Sequence, residues 1–360
     1  MSSAFPQVLV SYGWDEDLEH TFAPHRAAGL VPARIAGVDR GLCDVITEDG
    51  PLRADSTPVT AADPQTSPCT GDWAALRTGG HPALAALLPR RTAIVRATAA
   101  RDSRGQVLAA NVDTIAIAVS LEERPVDLGR LERLLALAWE SGARPVVVLT
   151  KADRVADPGE LADLVAEAET AAPGAEIVTV SAATGEGVDV VTAVLTGTVA
   201  LLGRSGAGKS TLGNALLGEQ RLATGEIRAA DGKGRHTTVR RELLPLPGGG
   251  VLIDTPGLRG VGLYDAAEGL QQTFAEIEEL ALECRFGDCA HQSEPGCAVL
   301  AAIEEGVLPQ RRLDSYRKLL RENEWIASRS DARLRAERND QWKVIHRAQR
   351  QAYKLKGRDR

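Results

Sequence analysis

Apolar runs alternate with amphipathic helical segments through the middle of the chain. The runs TIAIAVSL, PVVVLT and EIVTV are each followed by text with apolar residues at helical spacing, most clearly in residues 128–142 and 158–171. Continuous apolar strands linked by such helices are typical of a parallel sheet that is covered on both faces. The pattern therefore predicts an α/β domain that begins near Asn111.

Shorter β-rich runs precede this region, and helical text follows it. VPARIAGV, GLCDVIT and AIVRAT lie between residues 31 and 98 and are separated by turn residues, which predicts a small β-barrel. After Gly257 the pattern is helical and is interrupted by a group of Cys and His residues. A chain of 360 residues is long enough for two or three such domains.

The longest apolar runs are shorter than the roughly 18 residues that a membrane span needs. The first 30 residues carry acids instead of a basic and then apolar leader. Five cysteines form an odd set, which indicates reduced thiols and no disulfide framework. We therefore expect a cytoplasmic monomer that does not bind membranes.

Charge is distributed unevenly along the chain. The net charge is −7, but residues 311–360 carry 16 Lys and Arg against 7 Asp and Glu, a net +9, which leaves −16 for the rest. This asymmetry favours a polyanionic partner for the tail. Seven residues of the tail predict a helix face that contacts RNA phosphates and stacks on bases: Arg311, Arg312, Tyr316, Arg317, Lys318, Arg321 and Trp325. A solvated helix face is the alternative.

A glycine-rich loop with the spacing of a phosphate loop follows the apolar run VALL and precedes helical text. Its backbone N–H groups and the helix N-terminus would bind phosphate oxygens, Lys209 would reach the β and γ phosphates, and Ser210 would ligate Mg²⁺. The predicted phosphate-binding residues are Gly203, Arg204, Ser205, Gly206, Ala207, Gly208, Lys209, Ser210 and Thr211.

Two further segments fit the γ-phosphate side of such a site. The sequence DTPG ends an apolar run, so Asp254 would hold Mg²⁺ through its water shell and the Gly257 N–H would meet the γ-phosphate. Between this sequence and the loop lies GKGRHTT, in which Thr237 or Thr238 is the predicted switch residue and Thr238 our choice as a Mg²⁺ ligand. A plain surface loop is the alternative for this basic segment.

The sequence TKAD, which follows the run PVVVL, identifies the base. The Asp153 carboxylate can accept from both N1–H and the N2 amine of guanine, whereas adenine has no such pair of donors. Thr150 belongs to the same motif, and Lys151 would lie along the base and ribose. Ser181 and Ala182 end another predicted strand, where a backbone N–H could bind guanine O6.

These motifs occur in a permuted order. In most GTPases the phosphate loop comes first and the base-reading motifs come last, but here TKAD and the Ser-Ala pair precede the loop. Chain termini often lie close together, so a fold can be joined there and opened elsewhere. The sequence therefore predicts a circularly permuted GTPase that binds GTP and GDP.

The catalytic step lacks an obvious water-positioning side chain. Leu258 follows DTPG, where many GTPases have a Gln, and leucine cannot bind water. We expect slow intrinsic turnover and a group supplied by a partner. His236 is a candidate for that group, although contact with RNA or solvent explains it equally well.

Three thiolates and an imidazole occur within 14 residues, at Cys284, Cys289, His291 and Cys297. This number and type of ligand suits a closed, structural tetrahedral Zn²⁺ site with no open position for catalysis. Chance clustering of small buried cysteines is the alternative. For Cys43 and Cys69, ordinary packing is the better interpretation.

Taken together, the motifs resemble the ribosome small subunit-dependent GTPase A family. The segments that carry the resemblance run from about residue 68 to the C-terminus: ALLPRR, AANVDTIAIAVSL, GRSGAGKSTLGNAL, GKGRHTT, DTPG and CRFGDCAHQSEPGCAV. One difference is Thr150, where the family more often has Asn. The hydrogen bond of an amide side chain near guanine N7 is therefore lost, while Asp153 is kept.

The resemblance implies three domains. These are an OB-fold β-barrel (1–107), a circularly permuted P-loop GTPase domain (108–264) and an α-helical zinc-binding domain with a basic tail (265–360). It also implies a role in late maturation of the small ribosomal subunit, with rRNA binding and subunit-stimulated hydrolysis of GTP with Mg²⁺. Two alternatives stay open: a nucleotide-gated RNA-binding switch with little activity, and an ATPase with a coincidental TKAD.

Overall fold

A computed structural model of the chain describes residues 6–61, 63–97, 105–223, 241–254 and 262–330. Several predicted residues lie outside these ranges: His236, Thr237, Thr238, Gly257 and Leu258, together with the tail beyond residue 330. None of the helices in the described ranges combines the length and the apolar character that crossing a bilayer requires.

Two helices that the sequence pattern did not predict open the chain, α1 (Gln7–Val10) and α2 (Glu16–Ala27). The Asp15 carboxylate accepts a hydrogen bond from the Leu18 N–H at 2.9 Å, and three acidic residues follow in the first turn of α2. A capping Asp and first-turn acids both stabilise a helix N-terminus, so the signal was present in the sequence. The buried side chains of α2 pack with Trp73 on the barrel.

The N-terminal barrel contains five strands: β1 (Val31–Asp39), β2 (Leu42–Thr47), β3 (Gly50–Asp55), β4 (Trp73–Arg77) and β5 (Ala83–Leu87). A 3-10 turn (Thr57–Val59) follows β3. The closed order is β1-β2-β3-β5-β4, and only the contact of β3 with β5 is parallel. This five-stranded closure is the arrangement of an OB-fold, so the predicted barrel is confirmed.

A six-stranded sheet forms the centre of the chain: β8 (Thr114–Ser120), β9 (Arg144–Thr150), β10 (Glu176–Val180), β11 (Thr198–Leu202), β12 (Leu243–Pro245) and β13 (Val251–Ile253). The order is β10-β9-β8-β11-β13-β12, with every neighbouring pair parallel except β12 and β13.

Helices cover both faces of this sheet: α3 (Leu128–Glu140), α4 (Pro158–Ala171), α5 (Val188–Val194) and α6 (Lys209–Leu217). Buried side chains of α3 and α4 belong to the core on one face, and those of α5 and α6 belong to the core on the other. A 3-10 turn (Ala152–Arg154) lies between β9 and α4. The α/β prediction is therefore confirmed.

The run AIVRAT does not join the barrel, so that part of the barrel prediction was wrong. It forms β6 (Ala93–Ala97), which pairs with β7 (Gly105–Ala110) in a separate two-stranded sheet. The Ala93 N–H donates to the Ser141 carbonyl at 3.1 Å, and Ile94 is buried in the same core as α3. The apolar side of this strand therefore packs on the α/β domain.

Within residues 262–330, four helices follow the sheet: α7 (Ala267–Thr273), α8 (Ala275–Ala281), α9 (Ala298–Glu304) and α10 (Gln310–Ser330). Helix α7 lies so close to α3 that a Cβ at Gly269 would come within 2.0 Å of the Ala136 carbonyl oxygen. The Gly269 N–H also donates to the Glu140 carboxylate at 2.8 Å. The C-terminal helices are thus packed directly on the helix layer that covers one face of the six-stranded sheet.

The predicted RNA face of α10 is partly wrong. Arg312 is buried, donates to Glu132 and Glu276, and lies 4.4 Å from the Phe274 ring centroid. Tyr316 is also buried, and its hydroxyl donates to Glu278 at 2.5 Å.

Two more arginines of this set also have protein partners. Arg311 donates to the fully buried Glu132 at 2.8 Å, and Arg317 donates to the His291 carbonyl. Lys318, Arg321 and Trp325 are exposed at helical spacing, so these three alone remain candidates for contact with RNA. Basic residues at helical spacing can form buried ion pairs with acidic residues of a facing helix instead of binding RNA.

Candidate nucleotide site and metal cluster

The glycine-rich loop joins the end of β11 to the start of α6. Gly203 has φ of +146°, and a Cβ there would lie 2.5 Å from the Ala118 carbonyl oxygen, so only glycine fits beside β8. Gly208 is the N-cap of α6. The loop therefore presents its backbone N–H groups beside the free N–H groups of a helix N-terminus, where anions bind.

Lys209 lies over this loop. Its ammonium group donates to the carbonyl oxygens of Gly203 at 2.8 Å and Arg204 at 2.7 Å. Ser210 and Thr211 follow in the first turn of α6. A cation held on the loop's own carbonyls is positioned for the phosphate groups that this loop can bind.

Asp254 follows the strand next to the loop. The parallel register of β11 and β13 pairs Ala200 with Ile253, so Asp254 lies at the carboxyl end of β13, beside the strand that leads into Gly203. Its side chain is half-buried, and its N–H donates to the Glu242 carbonyl at 3.3 Å. Its carboxylate is therefore at the same edge of the sheet as Ser210.

Thr150 connects the base-reading motif to the phosphate loop, a contact that the sequence did not reveal. Its side chain is buried, with 4% of the residue exposed, and its hydroxyl lies 2.8 Å from the Ala207 carbonyl oxygen and 3.2 Å from that of Val119. Thr150 lacks the side-chain amide of the more usual Asn, but its hydroxyl fixes the position of β9 relative to the phosphate loop.

Asp153 and Ser181 are in direct contact. The Ser181 hydroxyl donates to the Asp153 carboxylate at 2.7 Å, and the Ser181 N–H donates to the Glu186 carbonyl at 2.9 Å. Ser181 is fully buried. The Ser-Ala pair therefore orients the Asp153 carboxylate as well as presenting the backbone at Ala182.

Two acidic residues in the loop after β8 were missed by sequence reasoning. Glu122 pairs with Lys151 at 2.5 Å, and this hydrogen bond lowers the pKa of Glu122. Glu123 pairs with Arg204 of the phosphate loop. Both residues could have been identified from the sequence, because they follow the carboxyl end of a predicted buried strand, where ligand-binding residues of such sheets occur.

The predicted site residues that the structure describes converge at one edge of the sheet. TKAD follows β9, the Ser-Ala pair follows β10, the phosphate loop follows β11 and Asp254 follows β13, all at carboxyl ends of parallel strands. The hydrogen bonds of Thr150 and Asp153 join three of these four segments. The arrangement can bind a purine at one end and a polyphosphate at the other.

A second cluster contains Cys284, Cys289, His291 and Cys297, whose ligand atoms all lie within 4.8 Å of one another. The Cys284 and Cys297 sulfurs are 3.8 Å apart, and the His291 Nδ1 lies 3.7 Å and 3.5 Å from them. A tetrahedral ion with metal–sulfur bonds of about 2.3 Å places its sulfur ligands about 3.8 Å apart. These residues could therefore hold a metal ion.

The loop of this cluster is fixed by hydrogen bonds to its backbone. The Glu294 carboxylate accepts from three N–H groups, those of Ala290, Gln292 and Ser293, and such backbone hydrogen bonds lower the pKa of Glu294 to about 2. The Cys297 sulfur accepts from the Leu300 N–H at 3.5 Å as the N-cap of α9. The isolated thiols Cys43 and Cys69 are both buried, which confirms their assignment to packing.

Comparison with known proteins agrees with this geometry. The family model described as RsgA GTPase matches residues 87–264. The Small ribosomal subunit biogenesis GTPase RsgA of Streptomyces coelicolor is 62% identical over 337 residues, which cover 93% of this chain and 92% of that protein. The chain belongs to the RsgA GTPase family. The predicted family resemblance and the predicted class of GTP hydrolase are thereby confirmed.

A further relative and two solved structures are also similar to this chain. The protein of the same name from Methanosarcina acetivorans is 39% identical, covering 90% of this chain and 87% of its own. YjeQ from Thermotoga maritima has a TM-score of 0.60 at 25% identity, covering 81% of this chain and 98% of its own. YloQ, described as a circularly permuted GTPase, has a TM-score of 0.59 at 22% identity, with coverages of 81% and 94%. The fold of these neighbours confirms the predicted permutation.

Proposed function

We propose that this member of the RsgA GTPase family hydrolyses GTP during late maturation of the small ribosomal subunit. The names of its relatives support the role in subunit biogenesis. The observation that carries the proposal is the contact between Thr150 and Ala207. This contact brings the base-reading and phosphate-binding motifs into one nucleotide site although their order along the chain is permuted.

The residue roles within this proposal are those expected from the sequence motifs, supported by the contacts of the residues that the structure describes. Asp153 reads guanine, supported by the Ser181 hydroxyl, and the backbone at Ala182 binds O6. The loop from Gly203 to Thr211 binds the phosphates, with Lys209 on the β and γ groups. Ser210, Asp254 and Thr238 would hold Mg²⁺, and the Gly257 N–H would meet the γ-phosphate, with Thr237 the alternative switch residue.

The catalytic proposal requires a partner. Leucine at position 258 offers no hydrogen bond to the attacking water, so turnover by the protein alone is slow. A group from the small subunit, or His236, orients the water. Hydrolysis then releases the protein from the subunit.

The structural part of the proposal concerns the metal and the domains. We assign Zn²⁺ to the Cys284 cluster because three thiolates and one imidazole are the donor set of closed tetrahedral Zn²⁺ sites, and the four ligand atoms lie within 4.8 Å of one another. We keep the division into residues 1–107, 108–264 and 265–360, although β6, which lies in the first of these ranges, packs on the α/β core. The protein acts as a cytoplasmic monomer that contacts rRNA through its C-terminal region, including exposed Lys318 and Arg321.

Purified small ribosomal subunits should raise the rate of GTP hydrolysis at least tenfold, a conservative figure beside the roughly 10³-fold or more that a partner-supplied catalytic group can contribute. The measurement is phosphate release under single-turnover conditions with small subunits, large subunits or no addition. Large subunits serve as the control for nonspecific RNA. Intact GTP in the presence of small subunits would favour the RNA-binding switch instead.

Asp153→Asn should lower the preference for GTP over ATP by roughly 100-fold, since the amide presents a donor to the guanine edge where the carboxylate accepted two hydrogen bonds. Competition of GTP, xanthosine triphosphate and ATP against a fluorescent guanine nucleotide measures this. Asp163→Asn, an exposed carboxylate on α4, is the matched control. Unchanged base preference would place guanine recognition elsewhere.

A further inference from the structure

Four consecutive residues after β8 connect the base-reading motif with the phosphate loop. They are Leu121, Glu122, Glu123 and Arg124, and we call them the β8 brace. Leu121 is buried, and its N–H donates to the Thr150 carbonyl at 3.0 Å. The brace is therefore fixed to β9 at the residue where TKAD begins.

Arg124 fixes the other end of the brace. Its Nη2 donates to the Arg154 carbonyl at 3.2 Å, and its Nε donates to the Leu121 carbonyl at 3.4 Å. It also pairs with Glu160 of α4. Since Arg154 ends the 3-10 turn that contains Asp153, the brace is held against this turn at both of its ends.

Glu122 holds the side chain of Lys151. The Lys151 ammonium donates to the Glu122 carboxylate at 2.5 Å, and the Glu122 N–H donates to the Ser120 hydroxyl at 3.3 Å. Lys151 has φ of +60°, a left-handed conformation that residues other than glycine adopt only rarely. The backbone and the ammonium of Lys151 are thus both placed, so the four-carbon stem between them has a defined direction.

Glu123 holds the phosphate loop through Arg204. The two side chains form an ion pair. The Arg204 carbonyl in turn accepts from the Lys209 ammonium at 2.7 Å. Glu123 is therefore connected through a single residue to the cation that lies over the loop.

The charge of the site does not explain two carboxylates at this edge of the sheet. A carboxylate repels a polyphosphate, so Glu122 and Glu123 by their charge alone would weaken nucleotide binding. About half of each side chain is exposed, 49% for Glu122 and 47% for Glu123, and ion pairs this exposed add little to folding stability. They do restrict two long basic side chains before a ligand arrives, and such preorganisation lowers the entropy cost of binding.

We propose that Glu122 and Glu123 are positioning residues for nucleotide binding and hydrolysis. Glu122 holds the Lys151 stem as an apolar surface beside the base and ribose. Glu123 holds the phosphate loop, through Arg204, in the position from which Lys209 reaches the phosphates. The assignment rests on the proposed function, because it requires a guanine nucleotide to bind between TKAD and the loop.

Glu122→Gln should raise KM for GTP about threefold and leave kcat unchanged, since an ion pair of this exposure contributes only a small factor. The base and ribose bind equally well in the ground state and the transition state, and loss of such uniform binding raises KM alone. Steady-state hydrolysis by the full chain at varied GTP concentration measures both constants. A lower or unchanged KM would overturn the role of Glu122, and a lower one would show that it acts only as a repulsive charge.

Glu123→Gln should lower kcat about threefold with little change in KM, again because the ion pair is exposed. Lys209 acts mainly on the charge that develops on the transferred phosphate, so a displaced phosphate loop slows the chemical step. Titration of nucleotide sites with a fluorescent guanine nucleotide corrects kcat for any unfolded fraction. A kcat equal to that of the wild type would refute the role of Glu123.

Double variants test whether each glutamate acts through its partner. In an Arg204→Gln background, Glu123→Gln should have no further effect on kcat. In a Lys151→Met background, Glu122→Gln should have no further effect on KM. An undiminished effect in either background would contradict the corresponding assignment. Glu167→Gln, which removes an exposed carboxylate from α4, is the matched control and should change neither constant.

The wild-type protein separates this proposal from the proposed function. If the wild type neither binds nor hydrolyses GTP, the nucleotide site itself is wrong, and the role of the β8 brace with it. If the wild type hydrolyses GTP while Glu122→Gln and Glu123→Gln keep its KM and kcat, only the positioning role is refuted.

Discussion

Lys209→Ala should reduce the rate of GTP hydrolysis by about 1,000-fold, both in the basal reaction and with small subunits. Removing a single preorganised charge or donor from a transition state costs about 10²–10³ in rate, and Lys209 is the cation that lies on the phosphate loop. The loop carbonyls that it now contacts can bind water instead, so the melting temperature should change little. Phosphate release at saturating GTP measures the effect.

Arg77→Ala is the matched control for this variant, since it removes an exposed cation from β4 of the barrel, outside the nucleotide site. It should leave the basal rate of hydrolysis unchanged. A Lys209→Ala protein that still hydrolyses GTP at the wild-type rate would show that the glycine-rich loop does not bind the transferred phosphate. The proposed nucleotide site would then be wrong as a whole.

Cys297→Ser should abolish stoichiometric zinc binding and destabilise the C-terminal helices. Structural zinc contributes about 10 kcal/mol or more of folding free energy in small zinc modules, and the short loops between these four ligands contain little core of their own. Cys297 is also the N-cap of α9, and a serine hydroxyl can keep that cap, so the variant removes the metal ligand without removing the cap. Zinc content by elemental analysis and limited proteolysis measure the two effects.

Cys69→Ser tests whether loss of a buried thiol alone explains the result. Cys69 is buried in the N-terminal part of the chain and donates to the Val107 carbonyl at 3.5 Å, a bond that a serine hydroxyl can keep. This variant should retain one zinc ion per chain. Equal zinc content in Cys297→Ser and the wild type would contradict the assignment of the cluster.

The C-terminal helices are connected to the nucleotide-binding sheet by a buried ionic network. Glu132 of α3 accepts from Arg311, Arg312 and Ser315 of α10, and Arg133 pairs with Glu322 at 2.6 Å. Breaking a buried pair leaves an uncompensated charge and costs several kcal/mol, about 3–5 in typical cases. These contacts hold α10 against α3, which gives the C-terminal helices a fixed position beside the sheet.

The sequence by itself determined the local elements of this protein. The phosphate loop, TKAD and the Ser-Ala pair were placed correctly at strand ends, because glycine spacing and apolar runs are properties of contiguous residues. The Cys284 cluster was found for the same reason, since its four ligands lie within one short segment. The order of these motifs along the chain was also sufficient to predict the permutation.

Only the tertiary structure determined which residues each of these elements contacts. The Thr150 hydroxyl contacts Ala207, 57 residues away, and Arg312 meets Glu132 at a separation of 180 residues, so no local pattern specifies either pair. Strand β6 joined the α/β core for a similar reason: its alternation showed an apolar side but not the surface that covers it.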